Sequence, residues 1–138
     1  LVYKELVPPE SLVKVPFIKY QTDASVANII ETWCAEHFDE PPSVAMDVNS
    51  MSTCRHFVRA GLGWSILTYM GLGSCKDKDI YVSPLRSKNG EYITRDTNMV
   101  YTKDSENLIV VKTFIEYVRN YYKEHTVVDN SIFREYKA

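Results

Sequence analysis

The sequence predicts an α/β domain built on parallel strands. The main observation is residues 43–70, which read as an apolar strand, a polar turn, a helix of about two and a half turns, two glycines and a second apolar strand. Two neighbouring strands that are joined by a helix run parallel, because the helix crosses back over the sheet before the second strand begins. Antiparallel neighbours are instead joined by a hairpin turn, which this segment lacks. Residues 15–37 repeat the order of strand and then helix, which favours the same class.

The first elements follow from proline positions and apolar periodicity. Residues 1–7 predict a strand that stops at Pro8 and Pro9, since proline cannot donate to a strand ladder. Residues 15–20 predict the next strand. The helix after it has a single apolar stripe at helical spacing, formed by Val26, Ile29, Ile30, Trp33 and His37.

The glycines of the central unit follow its helix. Gly61 is placed to be the left-handed residue that ends this helix. A dinucleotide fingerprint requires the opposite order, in which the glycines follow a strand and open a helix. The sequence therefore argues against a nicotinamide cofactor, and no other cofactor is expected.

The second half of the chain predicts short strands and one long helix. Residues 80–85 read as a strand, the Asn-Gly pair in residues 87–90 as a tight turn, and residues 92–101 as one or two more strands. Residues 104–107 are expected to cap the helix, whose apolar face is formed by Val111, Phe114, Ile115, Val118, Tyr121 and Tyr122. The tail after His125 is expected to be loosely held or to pack against a neighbour.

Composition limits the functional classes. The 138 residues, 45% of them hydrophobic, suffice for one domain with a core, and a net charge of −2 disfavours nucleic-acid binding by this chain. Three cysteines, an odd number, favour a reducing cytoplasm. No apolar run is long enough to cross a membrane, and the amino end lacks a secretion signal. Without an initiator methionine, the chain is expected to be part of a longer protein.

Two polar loops are the candidate binding site. Residues 21–25 and 49–53 each follow a predicted strand and precede a helix. Because parallel strands end at the same edge of a sheet, both loops can face one ligand, such as a carboxylate or a hydroxylated small molecule. The alternative is that these hydroxyl and amide side chains only cap helices, and spacing alone gives the two interpretations equal weight.

The sequence contains no strong catalytic or metal-binding pattern. Cys34 and His37 have i, i+3 spacing, but Cys54 and His56 point to different sides of a helix, so core packing is favoured over a four-ligand metal site. No hydrolase nucleophile elbow and no zinc-protease or deaminase motif is present. Three carboxylates lie at predicted element ends, where capping is common, namely Asp23, Asp47 and Asp96.

Four segments together resemble the effector-binding domain of LysR-type transcriptional regulators. Residues 58–67 resemble its V-x-A-G-x-G-I-x-L-L-P signature. Residues 15–18 resemble the strand that enters its second lobe, residues 99–104 its L-V-Y-R-K-D strand, and residues 111–117 its closing A-x-x-F-I-x-F helix. The resemblance extends in the right order over residues 15–122.

The resemblance implies a type 2 periplasmic-binding-protein-like fold, in which two α/β lobes are joined by crossover strands and enclose a small effector. Residues 1–20 would be the end of the first lobe and the first crossover, residues 21–98 the second lobe, and residues 99–138 the return crossover near 96–101, the closing helix and the tail. The closing helix would belong to the first lobe. By position, the ligand-binding residues would be Gln21, Thr22, Asn49, Ser50 and Thr68, of which Thr68 replaces the usual proline.

The implied function is ligand sensing in a cytoplasmic, dimeric or tetrameric transcription regulator, and not catalysis. The partner would be a small-molecule effector, with anions as one candidate class, and DNA would be bound only by a winged helix-turn-helix domain outside this chain. No membrane association is implied. Two alternatives stay open: a solute-binding protein of the same fold that serves transport, and a small enzyme on an α/β sheet.

Overall fold

A computed structural model describes residues 2–3, 7–73, 80–125 and 128–134. These residues divide between two compact units, Leu1–Ile93 with Ser131–Ala138, and Thr94–Asn130. The elements of the described residues are β1 (Val2–Tyr3), β2 (Phe17–Tyr20), α1 (Ala24–His37), β3 (Val44–Val48), α2 (Met51–Arg59), α3 (Tyr69–Leu72), β4 (Tyr81–Val82) and α4 (Ile109–Glu124), with 3-10 turns at Pro9–Lys14, Ser105–Asn107 and Asn130–Ile132.

A small parallel sheet centred on β2 organises the first unit. β2 pairs in parallel with β3, and the register places Tyr20 opposite Val48. On its other side, Phe17 forms a parallel bridge with Trp64, where the Ile18 amide donates to the Trp64 carbonyl at 2.9 Å. β3 and the segment around Trp64 thus both run parallel to β2, as the strand–helix–strand order predicts, but β2 lies between them, so the prediction that these two strands lie side by side was wrong. β1 and β4 form a separate antiparallel pair.

Helices α1 and α2 bury β2 through two hydrophobic clusters. The first joins Phe17 and Trp64 to Trp33 of α1. The second joins Ile18 to Cys54 and to other residues of the α2 side. Since successive strand side chains point to opposite faces, β2 is covered on both, as a strand of a parallel α/β sheet should be.

Gly61 ends α2 in the left-handed conformation that the sequence predicts. Its φ is 76°, and the helix ends in two hydrogen bonds typical of a Schellman motif. The Leu62 amide donates to the Phe57 carbonyl at 3.1 Å, and the Gly61 amide donates to the Val58 carbonyl at 2.9 Å. This turn directs the chain back beside β2.

The strand predicted up to residue 70 was wrong in its second half. Strand pairing is limited to the segment around Trp64, and residues 69–72 form α3 instead. α3 is fixed by contacts with α2: Leu72 is buried, and its carbonyl accepts a hydrogen bond from Arg55. Such contacts between distant residues leave no trace in local periodicity.

Two further predictions in the second half of the chain were wrong. Between residues 92 and 101, Tyr92 alone pairs, in an antiparallel bridge with Arg86 across the predicted turn at Gly90. The remaining residues have no neighbouring strand within the described part of the chain, so no ladder forms. Residues 104–107 do not cap α4, because Ser105–Asn107 forms its own 3-10 turn and Leu108 stands at the N-cap.

Helix α4 of the second unit exposes most of its apolar side chains. Within this helix Ile115 is buried, whereas Phe114 is 59% and Tyr117 is 64% exposed. In the tail, Ile132 and Phe133 pack against the core of the first unit, and residues 126–127 and 135–138 lie outside the described residues. None of the helices in the described ranges combines the length and the apolar character that crossing a membrane requires.

Candidate functional site

The five predicted ligand-binding residues lie at one edge of the parallel sheet. β2 and β3 end opposite each other, and the backbone N–H of Gln21 donates to the Val48 carbonyl at 2.9 Å. The segment around Trp64 runs in the same direction and leads to Thr68, whose Oγ1 lies 3.5 Å from Sδ of Met51 at the start of α2. The edge therefore brings together the loops that carry Gln21, Thr22, Asn49, Ser50 and Thr68.

These residues differ in what they do for the fold. The Ser50 hydroxyl accepts from the Thr53 amide at 3.1 Å and lies 2.9 Å from Thr53 Oγ1, so it caps α2. Among the described residues, the side chains of Gln21, Thr22 and Asn49 have no hydrogen-bond partner. Helix capping thus explains the role of Ser50, while the side chains of Gln21, Thr22 and Asn49 are available to a ligand.

The two helix starts at this edge differ in charge. The N-cap of α1 is Asp23, whose Oδ1 accepts from the Val26 backbone amide at 3.1 Å, so a carboxylate already lies at the start of this helix. α2 begins with the neutral Ser50, and its first turn has no acidic residue. The partial positive charge of the α2 start is therefore uncompensated and favours a hydroxyl or a carboxylate.

A cavity of about 410 Å³ lies between α1 and the β2–β3 sheet. Thr22 lines it, but the other four predicted residues do not. Its walls are mostly apolar, with Lys19, Glu31 and Asp39 as the charged lining residues. Sequence reasoning missed this cavity; the available signal was the small side chains Ala27 and Ala35 on α1.

The candidate metal pair Cys34 and His37 serves packing. His37 stacks on the Trp33 ring at 4.4 Å, and its Nδ1 lies 2.9 Å from the Trp33 carbonyl oxygen. Within the described ranges, no three His, Cys, Asp or Glu residues are grouped closely enough to hold a metal ion.

The two described cysteines are buried thiols. Burial, and then the nearby Glu31 charge, raise the pKa of Cys34 from an ordinary 9.0 to about 11. Burial also raises the pKa of Cys54, against a smaller lowering by its hydrogen bond to Ser65. The Cys54 Sγ donates to Ser65 Oγ at 3.1 Å, and Ser65 donates to the Ile18 carbonyl at 2.8 Å. These thiols therefore belong to the core.

Alkylation of Cys34 is expected to be at least about 100-fold slower in the folded chain than in urea at pH 8. The raised pKa lowers the thiolate fraction by about that factor, and burial slows the reagent further. Mass spectrometry after timed iodoacetamide treatment measures the rate, in a Cys75→Ser background because Cys75 lies outside the described residues. Equal rates with and without urea would contradict the buried placement.

Comparison with known proteins gives the family. The family model described as the LysR substrate binding domain matches residues 1–123. The chain belongs to this family. Two relatives from Bacillus subtilis (strain 168) bear names of HTH-type transcriptional regulators, both called uncharacterized. YraN is 34% identical over 119 residues, which are 86% of this chain and 40% of YraN, and YkuM is 27% identical over 105 residues, which are 76% and 35% of the two chains.

The match to the LysR substrate binding domain includes all five candidate ligand-binding residues and reaches into both compact units. The chain spans about two fifths of the length of the relatives it matches. The resemblance noted in the V-x-A-G-x-G segment is thereby confirmed at the level of the family.

Proposed function

We propose that this chain is the ligand-sensing part of a LysR-type transcriptional regulator and binds a small metabolite at the edge formed by the strand ends. The observation that carries the proposal is the grouping of Gln21, Thr22 and Asn49, whose side chains have no partner among the described residues, beside the uncompensated start of α2. Neutral amides and hydroxyls next to helix amides suit a hydroxylated molecule or a small anion.

The proposal assigns the lobes by family position. Residues 21–98 form the second lobe of a type 2 periplasmic-binding-protein-like domain, and residues 1–20 are the end of the first lobe and the first crossover strand. Residues 99–138 are the return crossover, the closing helix, which belongs to the first lobe, and the tail. The exposed Phe114 and Tyr117 of α4 support this assignment, because a closing helix would be covered by first-lobe residues outside this chain.

The regulator would act in the cytoplasm as a homodimer or tetramer and would bind DNA through a helix-turn-helix domain outside this chain. The names of YraN and YkuM support this, since both denote HTH-type regulators. An effector shifts the arrangement of lobes or subunits by as much as its affinity differs between the two states. The same names disfavour transport, and the non-enzymatic assignment rests on the family.

Replacing Asn49 or Thr22 with alanine is expected to weaken the effector response about tenfold, because each substitution removes one hydrogen bond to the ligand. A thermal-shift screen of metabolites against the complete two-lobe domain first identifies the effector. Reporter induction by the full-length regulator then gives the half-maximal effector concentration.

The matched control is Asn28→Ala, which removes an exposed amide from α1 outside the two candidate loops. All three variants should keep the wild-type Tm, since none of these side chains is buried. Wild-type induction by both Asn49→Ala and Thr22→Ala would refute the site.

A further inference from the structure

Helix α3 is held in place by side chains of α2, above all by Arg55. Its four residues are too few for a helix to be stable alone, so its conformation requires outside support. Arg55 supplies it: Nη1 donates to the Leu72 carbonyl at 2.8 Å and lies 3.4 Å from the Gly71 carbonyl oxygen. These are carbonyls of the last turn, which have no partner within so short a helix.

Two glycines, Gly71 and Gly73, leave the space that the side chains of Met51 and Arg55 occupy. A Cβ at Gly73, where φ is 59°, would lie 2.2 Å from Arg55 Nη1. A Cβ at Gly71 would lie 1.5 Å from Met51 Sδ. Met51 and Arg55 are four residues apart on α2 and so share a face, along which the segment 68–73 lies.

The same contacts reach the candidate ligand site. Met51 follows the capping Ser50 directly, and its sulfur contacts the Thr68 hydroxyl at the amino end of α3. Thr68 is thus fixed relative to Asn49 and Ser50 by side chains that do not themselves belong to the predicted set. A ligand that contacted both loops would depend on the distance between them, since small displacements of binding groups are costly.

We propose that Arg55 and Met51 are positioning residues, which hold the segment 68–73 on the first turns of α2 and thereby set the separation of Thr68 from Asn49. The proposal deepens the proposed function and rests on it for its biological meaning. The geometry itself is independent of any ligand. Arginine suits this role because the two N–H groups of Nη1 are held in the plane of the guanidinium and face both carbonyls, whereas the lysine ammonium acts as a point charge with freely rotating donors.

Spin labels test the separation directly. Nitroxides are attached at Asn49→Cys and Met70→Cys, because Met70 is 79% exposed on α3 and Asn49 is exposed in the opposing loop. The background contains Cys75→Ser, and the buried Cys34 and Cys54 are expected to stay unlabelled. The parent should give one narrow distribution of interspin distances, and Arg55→Met should broaden it.

Amide hydrogen exchange gives the second measurement. Arg55→Met should speed exchange at residues 69–72 about tenfold, as expected for loss of a charged hydrogen-bond donor, and leave the β2 amides unchanged. Arg55→Lys, which keeps the charge, should restore part of the protection. The control is His56→Met on the same helix, which replaces an exposed side chain next to Arg55 and should change neither reading.

A narrow distance distribution and unchanged exchange in Arg55→Met would overturn the proposal. If Arg55→Met does not fold, Arg55→Lys decides, and wild-type values for both readings in that variant would likewise overturn it. Both experiments use the protein without ligand, so their failure is distinguishable from failure of the sensing function, which the Asn49→Ala response tests.

Discussion

Gly63→Ala is expected to destabilise the chain by about 3 kcal/mol or more. An added Cβ would lie 2.2 Å from the Pro16 carbonyl oxygen, and a backbone atom cannot move aside as a flexible side chain can. The same carbonyl accepts the Trp64 amide at 3.0 Å, in the ladder that joins the Trp64 segment to β2. Relieving the clash therefore means separating two strands of the parallel sheet.

Urea unfolding followed by circular dichroism measures this loss. The matched control is Gly90→Ala, where φ is 82° and no atom lies within 4 Å of the added methyl group. That variant should lose about 1 kcal/mol from backbone strain alone. If the two variants lost equal stability, the close approach at Gly63 would contribute nothing.

Trp64→Ala is expected to cost about 3 to 5 kcal/mol, the range for removing a large buried aromatic side chain. Trp64 is fully buried, and its ring lies 4.7 Å from that of Phe17 and 6.0 Å from that of Phe38. Its Nε1 also donates to the carbonyls of Leu12 at 3.0 Å and Val15 at 3.1 Å. The side chain thus joins the turn before β2 to the strand beside it.

Trp64→Phe separates the two contributions. Phenylalanine keeps an aromatic ring in the core but leaves the Leu12 and Val15 carbonyls without their donor, so a loss of about 1 to 3 kcal/mol is expected. Tyr122→Ala, which removes an exposed aromatic residue from α4, is the control and should stay within about 0.5 kcal/mol of wild type. Wild-type stability of Trp64→Phe would show that the indole hydrogen bonds are dispensable.

The elements that were predicted correctly are those with strong local signals. The order of strand, helix and strand predicted parallel strands, and β2, β3 and the segment around Trp64 do run parallel. Gly61 ends its helix for the conformational reason expected of glycine. Parallel pairing then brings the loops after Tyr20 and Val48 to one edge. Most of the candidate site thus follows from chain order and strand direction alone.

The features that were missed depend on partners far away in the chain. α3 exists because Arg55 bonds its carbonyls, and a strand and a short helix have similar apolar content at that length. Residues 93–101 have strand-like composition, yet a strand requires a neighbour to pair with. Likewise, nothing local distinguishes a capping Ser50 from a ligand-binding one; the distance to the Thr53 amide does.

The capping bond of Ser50 has an evolutionary consequence. Substitution at this position is restricted to the few side chains that can begin a helix, whereas the side chains of Gln21, Thr22 and Asn49 form no hydrogen bond within the described residues and can change without a penalty to folding. In the proposed site, new metabolite specificities can therefore arise by exchanging these three surface side chains, while the scaffold beneath them remains the same.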